Sequence, residues 1–224
     1  MCPVGDRPLV DWALDRVTPH VSALAVNARY DVARLAAHVA ARGAHVSDER
    51  DHPEELGTGG AVGALRDWLD GRAVLVVNGD TWTTVDLAPL LDGWDGDRIR
   101  VLVAGRAEVS PSMPLAGALV PWRDVAGLCP VPSGLWEVSW RDAVEAGRIE
   151  AVAVPPATPF LDCGTPGAYL AANLAASGGE SVIGAGAVVE GEVVRSVVWP
   201  GAVVRPGERL VEAIRAGHMT VLVR

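Results

Sequence analysis

Short apolar runs that stop on a polar residue, separated by helices of about ten residues, leave few folds open to this chain. "VSALAVNA" (21–28) reads as a buried strand ending at Asn27, and "AHVSDE" (44–49) as a short strand that turns acidic. "AVLVVNGD" (73–80) reads as a strand running into Asp80, and "RIRVLVAG" (98–105), "LAGALVPW" (115–122) and "IEAVAV" (149–154) as later strands. Between them "PLVDWALDRV" (8–17), "YDVARLAAHVAAR" (30–42) and "AVGALRDWL" (61–69) carry apolar residues at helical spacing. Pro8 suits a first helical turn and Gly43 a helix stop. The alternation predicts an α/β domain whose mostly parallel sheet is covered by helices on both faces. In such sheets ligands bind beyond the carboxyl ends of the strands, where Asn27, Ser47 and Asp80 are expected.

The tail follows another rule. "SVIGAGAVVEGEVVRSVVWPGAVVRPGERL" (181–210) alternates β-branched residues with Gly and Pro. Ile183 and Val189, and Val198 and Val204, mark six-residue steps, as in a coil or two of left-handed parallel β-helix; a plain β-hairpin appendage is the other reading. "SGGE" (177–180) suits a linker, so the domains are expected at 1–177 and 181–224.

Composition narrows the function. A net charge of −9 over 224 residues argues against a general nucleic-acid binder. No apolar run reaches a membrane span and the N-terminus has no secretory pattern. Cys2, Cys129 and Cys163 are far apart and form no metal spacing, which suggests reduced thiols and a cytoplasmic chain. All 19 basic residues are arginine, so no lysine can serve phosphate chemistry.

Three stretches carry chemistry. In "EELGTGGAVGAL" (54–65) a Gly-rich turn opens a helix, so a base or phosphate could rest on the main chain of Gly57, Thr58, Gly59 and Gly60. Gly-rich loops before helices also occur without a ligand. In "VVNGDTW" (76–82) Asp80 suits Mg²⁺, or the capping of the next segment. In "FLDCGTPGAYLAANL" (160–174) Asp162 precedes a helix with Thr165 at N-cap and Pro166 at N1. It suits a metal–phosphate complex or a plain helix start.

Taken in order, "LGTGGA", "NGD" and "D-x-G-T-P" resemble the sugar-1-phosphate nucleotidylyltransferases, the NDP-sugar pyrophosphorylases. "PVGDRPLVDWALDRV" (3–17) is similar to that family's P-V-x-x-K-P-L stretch, and the likeness runs from about residue 3 to 177. The resemblance implies a Rossmann-like fold of the nucleotide-diphospho-sugar transferase type and synthesis of an NDP-sugar and pyrophosphate from a nucleoside triphosphate and a sugar 1-phosphate. It implies Asp80 and Asp162 as Mg²⁺ ligands at the catalytic centre. Leu56, Gly57 and Thr58, with Asn78 and Gly79, would hold the nucleotide. Gly117 would face the sugar with its backbone, and Glu137 in "GLWEVSW" would lie near the sugar hydroxyls. The tail recurs in the mannose-1-phosphate guanylyltransferase-like branch, which leans the substrates toward GTP and mannose 1-phosphate and allows a homo-oligomer.

The family's G-x-G-T-R-x-x-P-x-T loop and following P-K are not among these residues. The loop cradles the triphosphate, and its strand is central in the family's sheet. A later E-K pair is also missing from "AGRAEVSPSMPLAG" (104–117), where Arg106 is the one base. Three expectations compete. Met1 is an internal methionine and the loop lies upstream; the chain is a non-catalytic subunit binding nucleotide or NDP-sugar; or it is a remnant whose tail drives assembly. As given, little or no turnover is expected.

Overall fold

The computed structural model describes residues 1–224 other than Arg106, Pro156 and Arg224. The Arg106 position discussed above therefore lies outside the described residues. The chain packs as two compact units whose limits differ from 1–177 and 181–224. One comprises Met1–Leu14, Gly79–Val85 and Thr158–Arg224; the other comprises Asp15–Asn78 and Asp86–Ala157.

The second unit is a mixed α/β assembly. Its four-stranded sheet runs in the order Val74–Val76, Leu115–Val120, Ile99–Ala104, Ile149–Val154. The 115–120 strand is antiparallel to both neighbours, whereas 149–154 is parallel to 99–104. Three of the four strands thus share one direction and the expected parallel sheet carries one reversed strand. Nothing in "LAGALV" marks the reversal, because a strand buried on both faces is apolar whichever way it runs. Ala25–Ala28 and His45–Asp48 form a separate parallel pair. Their crossover is the Val32–Val39 helix, which tightens into a 3₁₀ turn over Ala40–Arg42 and stops at Gly43, φ 66°.

Period-two alternation divides the sheet's faces. Ile99, Val101 and Val103 join Ala118 and Val120 in a core with Val62, Leu69, Leu135 and Trp140. The other face carries Leu102 opposite Gly117, beneath Leu87 and Leu90 beside the short Ala88–Leu91 helix. Both faces of this sheet are therefore covered.

In the first unit the chain's beginning is tied to its last helix. Pro3–Val4 and Arg7–Pro8 pair as a small antiparallel hairpin. The Pro166–Ala176 helix starts as its sequence predicts, with Pro166 in the first turn and the Thr165 hydroxyl accepting from the Ala168 N–H at 3.2 Å. From this helix Asn173, fully buried, accepts from the Gly5 N–H at 3.0 Å and donates to the Tyr169 carbonyl at 3.0 Å. The Tyr169 hydroxyl donates to the Pro3 carbonyl. Val4, Leu9, Trp82, Leu170, Val197 and Ile214 close around them. Asn173→Ala leaves the Gly5 N–H without its acceptor inside that core, and is expected to cost about 2 kcal/mol of unfolding free energy in urea.

The tail's strands visit three parallel ladders in rotation: Val182–Ile183 with Val197–Val198, Val188–Val189 with Val203–Val204, and Glu192–Val194 with Arg209–Val211. Val197–Val198 then pairs with the Ala213–Ala216 strand, against which Met219–Leu222 folds back antiparallel. The six-residue steps come into register, Ile183 on Val198 and Val189 on Val204. Because Val197 and Ile214 are buried in the core around Tyr169, residues 181–224 do not pack independently of the preceding helix. Among the described residues no helix is long and apolar enough to cross a membrane.

Candidate functional site

The two singled-out carboxylates lie side by side in the first unit, though not by the route the sequence suggests. The apolar run strands only at Val74–Val76, and Asp80 sits in the turn that follows. A second short strand, Thr81–Thr83, then pairs antiparallel with Phe160–Asp162. Thr81 lies opposite Asp162, and the Cys163 N–H donates to the Asp80 carbonyl at 2.9 Å. The ribbon therefore brings the two acids together across about eighty residues of sequence. Gly79 leaves open space around its α-carbon and needs no left-handed backbone.

The electrostatics record the proximity. Asp80 and Asp162 are both exposed; the protein around Asp80 removes part of its hydration, and that loss first, then the charge of Asp162, hold the Asp80 carboxyl above the ordinary aspartate range. Burial, followed by the two carboxylates among its smaller causes, also pushes the Cys163 thiol up, which argues against a thiolate nucleophile there. Asp162 Oδ1 accepts from the Gly164 N–H at 2.9 Å. The Thr81 hydroxyl is buried beside the pair without a hydrogen-bond partner. Among the described residues no cluster of three or more His, Cys, Asp or Glu side chains forms. Two repelling carboxylates nevertheless make a hard, oxygen-only pair of donors. That pair fits Mg²⁺, which commonly takes one or two protein carboxylates and completes its shell with water and phosphate.

The remaining singled-out residues belong to the second unit. The helix over Gly57–Ala64 begins four residues earlier than its periodicity predicts: Gly57 opens it from the left-handed region, φ 65°, and Gly59 and Gly60 continue it as helical residues. Their packing explains this. The Gly59 and Gly60 N–H groups donate to the Ser133 carbonyl at 2.8 and 3.3 Å, and the Ser133 N–H donates back to the Leu56 carbonyl at 2.9 Å. Leu56 is wholly buried, and the Thr58 hydroxyl accepts from the Leu135 N–H at 3.2 Å. The expectation that a phosphate rests on Gly59 and Gly60 is thus corrected: a protein carbonyl already takes those donors.

Glu137 is exposed and its carboxylate folds over Gly134. Asn78 lies half-buried in the loop after the 74–76 strand. Gly117 is buried mid-strand, its α-carbon covered by Leu87, Leu90 and Val77. Close packing by itself is enough to account for a glycine at this position. Arg29, which the sequence did not flag, gathers the loop just before Leu56: its guanidinium donates to the carbonyls of Glu49, His52, Pro53 and Glu54 at 2.8–3.1 Å.

No protein-family model matches the chain, and no curated protein does. Solved structures do. A mannose-1-phosphate geranyltransferase of Thermus thermophilus is 17% identical with a TM-score of 0.65, covering 97% of this chain and 85% of its own. A Bacillus anthracis protein assigned as a glucose-1-phosphate thymidylyltransferase, solved with sucrose, is 13% identical with a TM-score of 0.61, covering 78% and 85%. A UDP-glucose pyrophosphorylase from Acinetobacter baumanii is 14% identical with a TM-score of 0.52, covering 78% and 84%. The Thermus match spans nearly all of this chain and so takes in most of the tail. This chain has the fold of the sugar-1-phosphate nucleotidylyltransferase structures it matches.

Proposed function

We propose that this chain is built to join a nucleoside triphosphate to a sugar 1-phosphate, giving an NDP-sugar and pyrophosphate. The observation that carries the reading is the convergence of Asp80 and Asp162 at one end of the 81–83/160–162 ribbon, within this fold. Asp80 and Asp162 would hold Mg²⁺, which when bound neutralises charge on phosphate oxygens. The sugar phosphate oxygen attacks the α-phosphorus, a P–O bond forms, and the bond to pyrophosphate breaks. No protein nucleophile takes part, in keeping with the raised Cys163 thiol. The chain's work is positioning. Gly57, Asn78 and Gly79 present main chain to the nucleotide, with buried Leu56 anchoring that segment and exposed Thr58 held by the Leu135 N–H beside it. Glu137, exposed beside Gly134, is the carboxylate assigned to sugar hydroxyls. Mannose 1-phosphate with GTP is the first pair to try.

A second reading, binding without turnover, draws on one observation. The Gly59 and Gly60 N–H groups already donate to Ser133, and no lysine stands in for them. Pyrophosphate release from GTP, dTTP or UTP with hexose 1-phosphates and Mg²⁺ tests catalysis. Calorimetry with the same nucleotides and NDP-sugars tests binding. Turnover supports the first reading and affinity alone the second; a folded chain that does neither rejects both.

The tail's three rotating ladders support its reading as a short left-handed parallel β-helix, and a homo-oligomer contact is assigned to it. Val188 and Val203 pair in register while remaining 49% and 40% exposed. Val188→Glu with Val203→Glu is expected to halve the mass seen by light scattering, and a monomeric parent chain would rule the contact out. The substrates fit a cytoplasmic protein without nucleic-acid or membrane partners.

A further inference from the structure

We infer that the second unit carries a binding site for a small uncharged polyhydroxyl compound, of mono- or disaccharide size, between the 123–133 segment and the Trp136–Trp140 turn. The cleft there measures about 350 Å³, within the range of small-molecule sites. Its lining includes Arg123 and Arg148 on one hand and Asp124 and Asp142 on the other. The two arginines grip Asp124 from both sides, at 3.4 and 2.8 Å. The lining holds two groups of each sign, and Arg123 is further paired with Asp97 at 3.0 Å, so no surplus positive charge is left for a phosphate, which favours an uncharged ligand. A guanidinium has more N–H donors than these ion pairs use, so the wall offers donors and acceptors together.

The second observation is Ser139. It lines the cleft, is 9% exposed, and its hydroxyl is buried with no hydrogen-bond partner. A helical serine ordinarily satisfies itself on the carbonyl four residues back. Here Trp136–Trp140 is wound as a π-helix, the Arg141 N–H bonding to the Trp136 carbonyl. Such turns concentrate at functional sites. A sugar hydroxyl, donor and acceptor at once, matches an unpartnered serine hydroxyl in a cleft that guanidinium and carboxylate groups also line. Val131 and Val138, 53% and 43% exposed in the same lining, suit the C–H face of a pyranose ring.

The cleft also shares a wall with the glycine-rich helix. Gly59 and Gly60 bond to the Ser133 carbonyl, and Gly60 lies against that of Val131. A ligand seated here would be felt at Gly57–Gly60. That coupling rests on the nucleotide reading above; the binding itself does not.

Cys129 lines the cleft and is exposed, whereas Cys2, also exposed, belongs to the other unit and serves as internal control. The test is iodoacetamide alkylation of the full chain, read by peptide mass spectrometry, with mannose, glucose or sucrose at tens of millimolar and inorganic phosphate as the charged comparison. At least one sugar is expected to slow Cys129 about fivefold, the effect of ligand at roughly four times its Kd, with Cys2 unchanged. Ser139→Ala should abolish the protection without lowering the melting temperature, since it removes an unpaired buried hydroxyl. Val131→Trp, which fills the cleft from an exposed position, should abolish it too. The inference is overturned if no sugar slows Cys129, if phosphate does so and the sugars do not, or if protection survives in both variants.

Discussion

Gly63→Ala and Gly60→Ala are each expected to destabilise the chain by about 3 kcal/mol or more, although helix propensity alone predicts a gain of about 0.5–1 kcal/mol for the same change. Neither glycine sits in the left-handed region, so backbone freedom is not what they supply. A Cβ at Gly63 would stand 2.4 Å from the Cys129 carbonyl oxygen and 2.5 Å from its carbon; one at Gly60 would stand 2.3 Å from the Val131 oxygen. These are backbone atoms and cannot rotate aside as the end of a side chain can. Relief requires the helix and the 129–133 segment to separate, opening the core shared by Val62, Leu128 and Leu135. Overpacking by one methyl group against rigid atoms therefore outweighs the entropic gain. Gly127→Ala, with nothing within 4 Å and no unusual backbone angle, is the matched control and should be close to neutral. Urea denaturation decides it, and a Gly63→Ala chain within about 0.5 kcal/mol of its parent would be incompatible with this packing.

The same glycines show where sequence reasoning stops. Features written locally were legible. Thr165 and Pro166 announce a helix start because an N-cap hydroxyl and a first-turn proline act within one turn. Gly43 announces a stop, and the steps from Ile183 to Val189 and from Val198 to Val204 announce strands that stack. What makes Gly60 and Gly63 necessary, by contrast, is a segment some seventy residues downstream. Gly117 is fixed by Leu87, Leu90 and Val77. A glycine looks alike in sequence whether it admits a ligand or a neighbouring chain segment. Strand direction is likewise unwritten in "LAGALV", and the break between the 74–76 strand and Asp80 is hidden because Val77 continues the apolar run past the strand's end. The two acids could still be singled out, Asp80 by the apolar run before it and Asp162 by the helix start after it.

Asp80→Asn should move activity and stability in opposite directions. In the folded chain the Asp80 carboxyl is raised by partial loss of hydration and by the charge of Asp162. The native state therefore binds its proton more tightly than the unfolded chain does. The sign follows: this group favours folding below the ordinary aspartate range, about pH 4, and the advantage is lost as the pH rises through the raised value, leaving a repulsion at neutral pH that solvent screens because both carboxylates are exposed, so its effect is small. Replacing the carboxylate with an amide removes that repulsion, so the metal-free variant is expected to melt slightly above its parent at pH 7, with a flatter pH dependence. Mg²⁺, bound between the acids, should relieve the same repulsion reversibly and raise the melting temperature of the parent chain by mass action. That rise should vanish in Asp80→Asn and in Asp162→Asn, whose amide oxygen can still accept from the Gly164 N–H and so preserve the start of the following helix. Turnover, in a chain that shows it, should fall by about a hundredfold or more, the scale of losing one electrostatic group at a reacting centre. Calorimetric scans with and without Mg²⁺ separate the two effects. A Mg²⁺ shift that persists in both variants would place the ion elsewhere, and an Asp80→Asn chain that melts below its parent would remove the repulsion from which the site was read.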